Sequence, residues 1–125
     1  MEMKFYRCPH CGKIIAVVKN GARDTICCGV PMVELEPNST DGAVEKHVPV
    51  IEQEGNVVTV KVGSVDHPML DAHYIEWVML QTKNGNQRVR LNPGEAPVAK
   101  FALLEGDEVV NAFEYCNLHG LFKAR

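Results

Sequence analysis

The chain has 125 residues, 46% hydrophobic and 23% charged, a balance that excludes disorder and fibre and allows one ordinary domain or two small ones. A formal net charge of −3 leaves no basic stripe to neutralise phosphates, which argues against a nucleic-acid partner. No apolar run reaches the roughly 18 residues of a membrane span, and the start, MEMKFYRCPHCG, lacks a signal-peptide stretch, so the expectation is a cytoplasmic protein with no membrane partner.

In chain order, Lys4 to Arg7 and Ile14 to Lys19 are strand-like runs separated by the knuckle Cys8-Pro-His-Cys11-Gly, and Asn20-Gly21 is a hairpin-turn signal. Four of the five cysteines precede Met32, whereas four of the five histidines follow it. Between the two groups, Glu34-Leu-Glu-Pro-Asn-Ser-Thr-Asp-Gly42 reads as a linker, so the expected boundary lies near Pro37, dividing residues 1–37 from 38–125. A first module this short cannot bury a self-sufficient core and needs a staple, which its cysteines can supply.

The second module reads as all-β. Val57 to Val62, His73 to Thr82, Gln87 to Leu91, Val98 to Leu104 and Glu108 to Tyr115 are β-branched or aromatic runs bounded by Gly, Pro or Asn, which predicts a sandwich or barrel. Asn84-Gly85 predicts a hairpin joining His73–Thr82 to Gln87–Leu91. Strict alternation would place His73, Ile75, Trp77 and Met79 on one face, with Tyr74, Glu76, Val78 and Leu80 on the other.

In a reducing compartment the cysteines are metal ligands or reactive thiols rather than disulfides. Cys8-x2-Cys11, then Cys27 directly followed by Cys28, fits a tetrahedral thiolate site. Adjacent side chains on an extended chain point apart, so using both Cys27 and Cys28 requires a bent backbone. A thiol-disulfide exchange motif is the weaker alternative, because the activating helix is missing: Gly-Lys-Ile-Ile-Ala-Val-Val-Lys follows the knuckle. Four thiolates suit either structural zinc or iron, and spacing does not separate the two.

Three clusters stand out in the second module: Glu45-Lys46-His47-Val-Pro-Val, His67-Pro-Met-x3-His73 and Glu114-Tyr-Cys116-Asn-Leu-His119-Gly. A lone histidine is more often a surface or hydrogen-bonded group than a ligand, but all four and the one cysteine sit beside strand-end signals where loops can converge. Four imidazoles and a thiolate exceed zinc's usual four ligands, and five protein donors with an open sixth position suit iron. The thiolate would push electron density toward an oxygen species bound opposite it. A net positive centre beside Lys46 would draw an anion; an ordinary solvated lysine is the other reading of Lys46.

At these residues the sequence resembles desulfoferrodoxin, the two-iron class of superoxide reductase, over essentially the whole chain. Cys8, Cys11, Cys27 and Cys28 resemble the desulforedoxin-like S₄ iron site, centre I, and the three later clusters resemble the segments that form catalytic centre II. The resemblance implies iron rather than zinc at centre I, hence two irons per chain. It also implies an immunoglobulin-like β-sandwich carrying an Fe(His)₄Cys site, with His47, His67, His73 and His119 equatorial and Cys116 axial. Superoxide would take one electron and two protons and leave as hydrogen peroxide, without dioxygen production. Glu45 is implied as a sixth ligand of ferric iron and Lys46 as the cation that attracts superoxide. A homodimer and a rubredoxin-like electron donor are implied as well. Two competing expectations are a closed electron-transfer protein and a zinc-ribbon adaptor on a β-sandwich.

Overall fold

The computed structural model describes Glu2–Arg125, and nearly every element in it is a strand. Two compact units divide the chain between Glu36 and Pro37.

The first unit contains β1 (Phe5–Arg7), β2 (Ile14–Ala16), β3 (Ile26–Cys27), β4 (Val30–Pro31) and β5 (Val33–Glu34). β1 lies between antiparallel β2 and β5, pairing Phe5 with Ala16 and Tyr6 with Glu34. β3 and β4 form a separate hairpin whose turn holds Cys28 and Gly29 at φ 53° and 74°. The bend expected at the adjacent cysteines is therefore a left-handed residue, an uncommon conformation for a side chain other than glycine. The hairpin expected at Asn20-Gly21 does not form. β2 ends at Ala16, β3 pairs with β4 instead, and the Asn20 side chain only accepts a bond from the Gly21 amide at 3.1 Å. Ala22, Arg23, Asp24 and Thr25 are exposed, so a return strand there would have no buried face to stabilise it.

The second unit opens with α1 (Val44–His47) and continues through β6 (Pro49–Glu54), β7 (Val57–Val62), β8 (Ile75–Thr82), β9 (Asn86–Arg90), β10 (Val98–Ala102), β11 (Val109–Cys116) and β12 (Gly120–Lys123). One sheet has the order β10-β7-β6 and the other β12-β11-β8-β9, with antiparallel neighbours throughout. Val58, Val60 and Val62 of β7 meet Val78 and Leu80 of β8, Phe101 of β10 and Ala112 of β11 in one buried cluster, the core of a β-sandwich. β8 and β9 pair as the Asn84-Gly85 signal predicts, through a four-residue turn between Gln81 and Asn86.

Strict alternation along β8 fails at one place. The register skips from Tyr115↔Trp77 to Cys116↔Ile75, so Glu76 is an extra residue in a bulge. Ile75 thereby joins the core cluster with Val78 and Leu80 rather than sharing a face with Trp77 and Met79. Pairing also fixes which ends meet. Pro49 lies opposite Val62, and Cys116 lies opposite both Ile75 and Gly120. The start of β6, the end of β7, the start of β8 and the β11–β12 turn are the points from which the second-module histidines and Cys116 project.

Candidate metal centres

In the first unit, the Cys8–Lys13 turn and the β3–β4 turn carry the four sulfurs, whose ligand atoms all lie within 4.8 Å of one another. Cys11 Sγ is 3.6 Å from Cys27 Sγ, which is 3.9 Å from Cys28 Sγ. The backbone amides of Cys11 and His10 both donate to Cys8 Sγ at 3.4 Å, and the Cys11 amide leads in bringing that thiol down to about 6. Cys27 is pushed up to about 12, first by its hydrogen bond with Cys11 and then by that with Cys8. So crowded a set of sulfurs cannot all ionise unless a cation compensates them, which is the electrostatic signature of a thiolate metal site.

In the second unit, His47 ends α1, His67 follows β7, His73 precedes β8, Cys116 ends β11 and His119 lies in the turn to β12. The Nδ1–H groups of His47 and His67 donate to the carbonyls of Ala43 and Pro68, at 2.7 and 2.6 Å, leaving both Nε2 atoms bare. Those two Nε2 atoms are 3.2 Å apart, and His47 Nε2 is 3.0 Å from His119 Nδ1. Cys116 Sγ lies 3.5 Å from His67 Nε2 and 3.8 Å from His119 Nδ1. His73 Nε2 is buried without a hydrogen-bond partner. Facing lone pairs and an orphaned buried nitrogen fit a cation among them, and the nitrogen and sulfur donors fit iron.

Burial holds His47, His67 and His73 below the usual imidazole range, His67 at about 4, so all three are neutral and ready to ligate at pH 7. The Cys116 thiol is raised chiefly by burial, with the amides of Leu118 and His119 acting against the shift. Lys46 and Glu45 are exposed on α1, each next to or near a ligand. The Lys46 charge adds to the lowering of His73, behind burial and His119, while Glu45 opposes the lowering of His47.

Supporting groups outside the ligand set were not singled out from the sequence. Asn117 stitches the His73 segment to Cys116: it accepts from the Tyr74 amide at 2.9 Å, donates to the Ala72 carbonyl at 3.1 Å, and its own amide donates to Tyr74 O at 3.2 Å. The Phe122 ring lies 4.7 Å from His47, and the Thr40 hydroxyl bonds the His119 carbonyl. Glu114 is fully buried with neither carboxylate oxygen partnered, and burial pushes its carboxyl well above the usual range. Asn117 could have been suspected from its place between Cys116 and His119; the carbonyls of Ala43 and Pro68 leave no trace in residue identity.

The desulfoferrodoxin family model matches residues 39–125, and the model of the desulfoferrodoxin N-terminal domain matches residues 1–35. The chain is similar to a desulfoferrodoxin of Nitratidesulfovibrio vulgaris, 48% identical over 123 residues that cover 98% of this chain and 96% of that protein. Among solved structures it resembles a superoxide reductase from Treponema pallidum, with a TM-score of 0.84 and 37% identity over the full length of both chains. A one-iron superoxide reductase from Giardia intestinalis matches 63% of this chain and 94% of its own, with a TM-score of 0.54 and 36% identity. A thiolate cluster in a small β unit and a histidine–cysteine cluster at one end of a β-sandwich define a two-site iron protein. The chain belongs to the desulfoferrodoxin family.

Proposed function

We propose that this chain reduces superoxide to hydrogen peroxide at an iron site formed by His47, His67, His73, His119 and Cys116, and that a second iron is held by Cys8, Cys11, Cys27 and Cys28. What carries the reading is that His47, His67, His73 and Cys116 bring their ligand atoms within 4.8 Å of one another, with His119 Nδ1 3.0 Å from His47 Nε2 and the hydrogen-bonded Nδ1 atoms of His47 and His67 turned away. It is supported by the likeness to the Treponema pallidum superoxide reductase over both full chains. On this reading residues 1–37 are the desulforedoxin-like domain and residues 38–125 the catalytic sandwich.

Iron held by His47, His67, His73, His119 and Cys116 would supply the one electron that, with two protons, converts superoxide to hydrogen peroxide. The protein supplies the rest. Lys46, exposed beside His47, attracts the anion to the centre. The buried Cys116 is kept from water and from oxidation by bulk solutes. Glu45 offers a hard carboxylate that favours ferric over ferrous iron, and so can take a sixth position after turnover. An external donor of the rubredoxin type returns the electron, and the working unit is a cytoplasmic homodimer. No helix among the described residues is long and apolar enough to cross a membrane.

The test is metal analysis with visible spectra before and after ascorbate, with and without cyanide, followed by rapid-mixing kinetics with superoxide. The expected result is about two irons per chain, a reducible thiolate band that cyanide perturbs, and superoxide consumption without dioxygen release. Zinc alone, no colour after iron reconstitution and no superoxide consumption would overturn the reading.

A further inference from the structure

α1 is a single turn, too short to be stable by itself, and no side chain caps its N-terminus. What fixes it is a turn from the core. β7 delivers the buried residues Val58, Val60 and Val62, and the chain then reverses at Gly63, which is buried at φ 84°. The Val65 amide donates to the Glu45 carbonyl at 2.8 Å, and the Ser64 hydroxyl donates to the same oxygen at 3.4 Å. A side chain at Gly63 has no room. Its Cβ would collide with the Val65 carbonyl and would stand 2.6 Å from the Glu45 carbonyl oxygen and 2.7 Å from Lys46 Cα. All three are backbone atoms and cannot rotate aside, and the left-handed conformation independently disfavours any residue with a Cβ.

We infer that Gly63 is a positioning residue for superoxide capture: the Gly63–Val65 turn is a pedestal that seats the Glu45–Lys46 backbone and so sets where the Lys46 ammonium stands relative to the metal ligands. The inference rests on the role proposed above for Lys46. It assigns the turn a job distinct from ligation, because Gly63 and Val65 hold neither metal nor substrate. The same amide-to-carbonyl bond joins the segment before His67 to the segment before His47, so one contact ties two ligand loops together. Lys46 differs from an ordinary surface lysine in that the backbone beside it is clamped to the turn that leaves β7.

The test compares Gly63→Ala, Lys46→Ala and wild type in the iron-loaded protein, with amide hydrogen exchange as a readout independent of turnover. Gly63→Ala is expected to keep both irons and the thiolate band, to exchange the amides of residues 43–48 faster, and to react with superoxide about tenfold more slowly, with a flatter salt dependence. A Lys46→Ala variant that is slow beside a Gly63→Ala variant of wild-type rate and salt slope overturns the pedestal and leaves the Lys46 reading standing. A wild-type rate in Lys46→Ala overturns both. Should Gly63→Ala fail to load iron, the wild-type Val65 amide decides: protection of about a hundredfold or more over a free loop amide supports the pedestal, and exchange at the free rate overturns it.

Discussion

Glu45 and Lys46 are neighbours on one helical turn, yet their charges act in opposite senses on the ring nitrogens they reach. A positive charge near His73 helps keep that imidazole neutral and also attracts an anion, so one side chain serves ligation and capture together. Lys46→Ala is therefore expected to slow the second-order reaction with superoxide about tenfold and to flatten its dependence on ionic strength, measured by rapid mixing from low to high salt. A variant with the wild-type salt slope would remove Lys46 from the mechanism. Glu45→Ala is expected to leave that first reaction within about twofold, because a carboxylate prefers the ferric metal, and to alter the ferric visible spectrum. An unchanged ferric spectrum would exclude the carboxylate as a ligand. That His47, His67, His73 and Cys116 come together was legible in the sequence, since each sits beside a Pro, Gly or strand-end signal where loops can converge. Which ring nitrogen each histidine offers was not, because His47 and His67 are oriented by the carbonyls of Ala43 and Pro68, and every residue has a carbonyl.

Most strands were legible because they are β-branched runs between turn residues, as in Val57–Val62, whose bounds coincide with β7. β6 and β12 were missed for local reasons. β6 begins at Pro49, a residue that argues against a strand unless it stands at an end, and β12 is four residues opening on a glycine at φ 90°. α1 has only one turn and so no period to detect. The bulge at Glu76 was invisible because it is set by how β8 must meet β11. A different contact holds the β8–β9 turn. Asp107 accepts from the Thr82 hydroxyl at 2.7 Å and from the amides of Asn84 and Glu108 at 3.1 and 2.9 Å, and these bonds, led by that of Thr82, hold its carboxyl below the usual range. A carboxylate whose folded pKa is depressed contributes stability above its unfolded value, near 3.9, and loses it as pH falls through the folded value. Asp107→Asn should therefore melt lower than wild type above about pH 5, with the difference narrowing as pH falls below about 4. Melting curves of the two proteins across that range check it; a difference independent of pH would mean that charge at Asp107 contributes nothing to the turn.

At the scale of the whole chain, the two units depend on metal to different degrees. Among the described residues, only Phe5, Cys8 and Met32 of the buried apolar side chains belong to the first unit, and one of those is a ligand candidate. Two very small sheets with so little interior cannot offset their conformational entropy unless the four sulfurs share a cation. The second unit has a continuous core through both sheets, built from apolar side chains of β7, β8, β10 and β11 together with Cys116. His47, His67 and His73 are held neutral by burial, so removing a metal leaves no charge on these three to force the strands apart at pH 7. Iron removal under reducing conditions should thus collapse the first unit and spare the second. In amide NMR spectra of the apoprotein, signals from residues up to Glu36 are expected to gather at unfolded positions, while those of β7, β8, β10 and β11 stay dispersed. Dispersed signals from both units without metal would refute the dependence, as would the simultaneous loss of both. Adding zinc instead of iron sharpens the distinction, because zinc satisfies four thiolates but has no redox chemistry. The zinc protein should regain the first unit's dispersed signals and still fail to consume superoxide, which separates what the metal does for folding from what iron does for the electron.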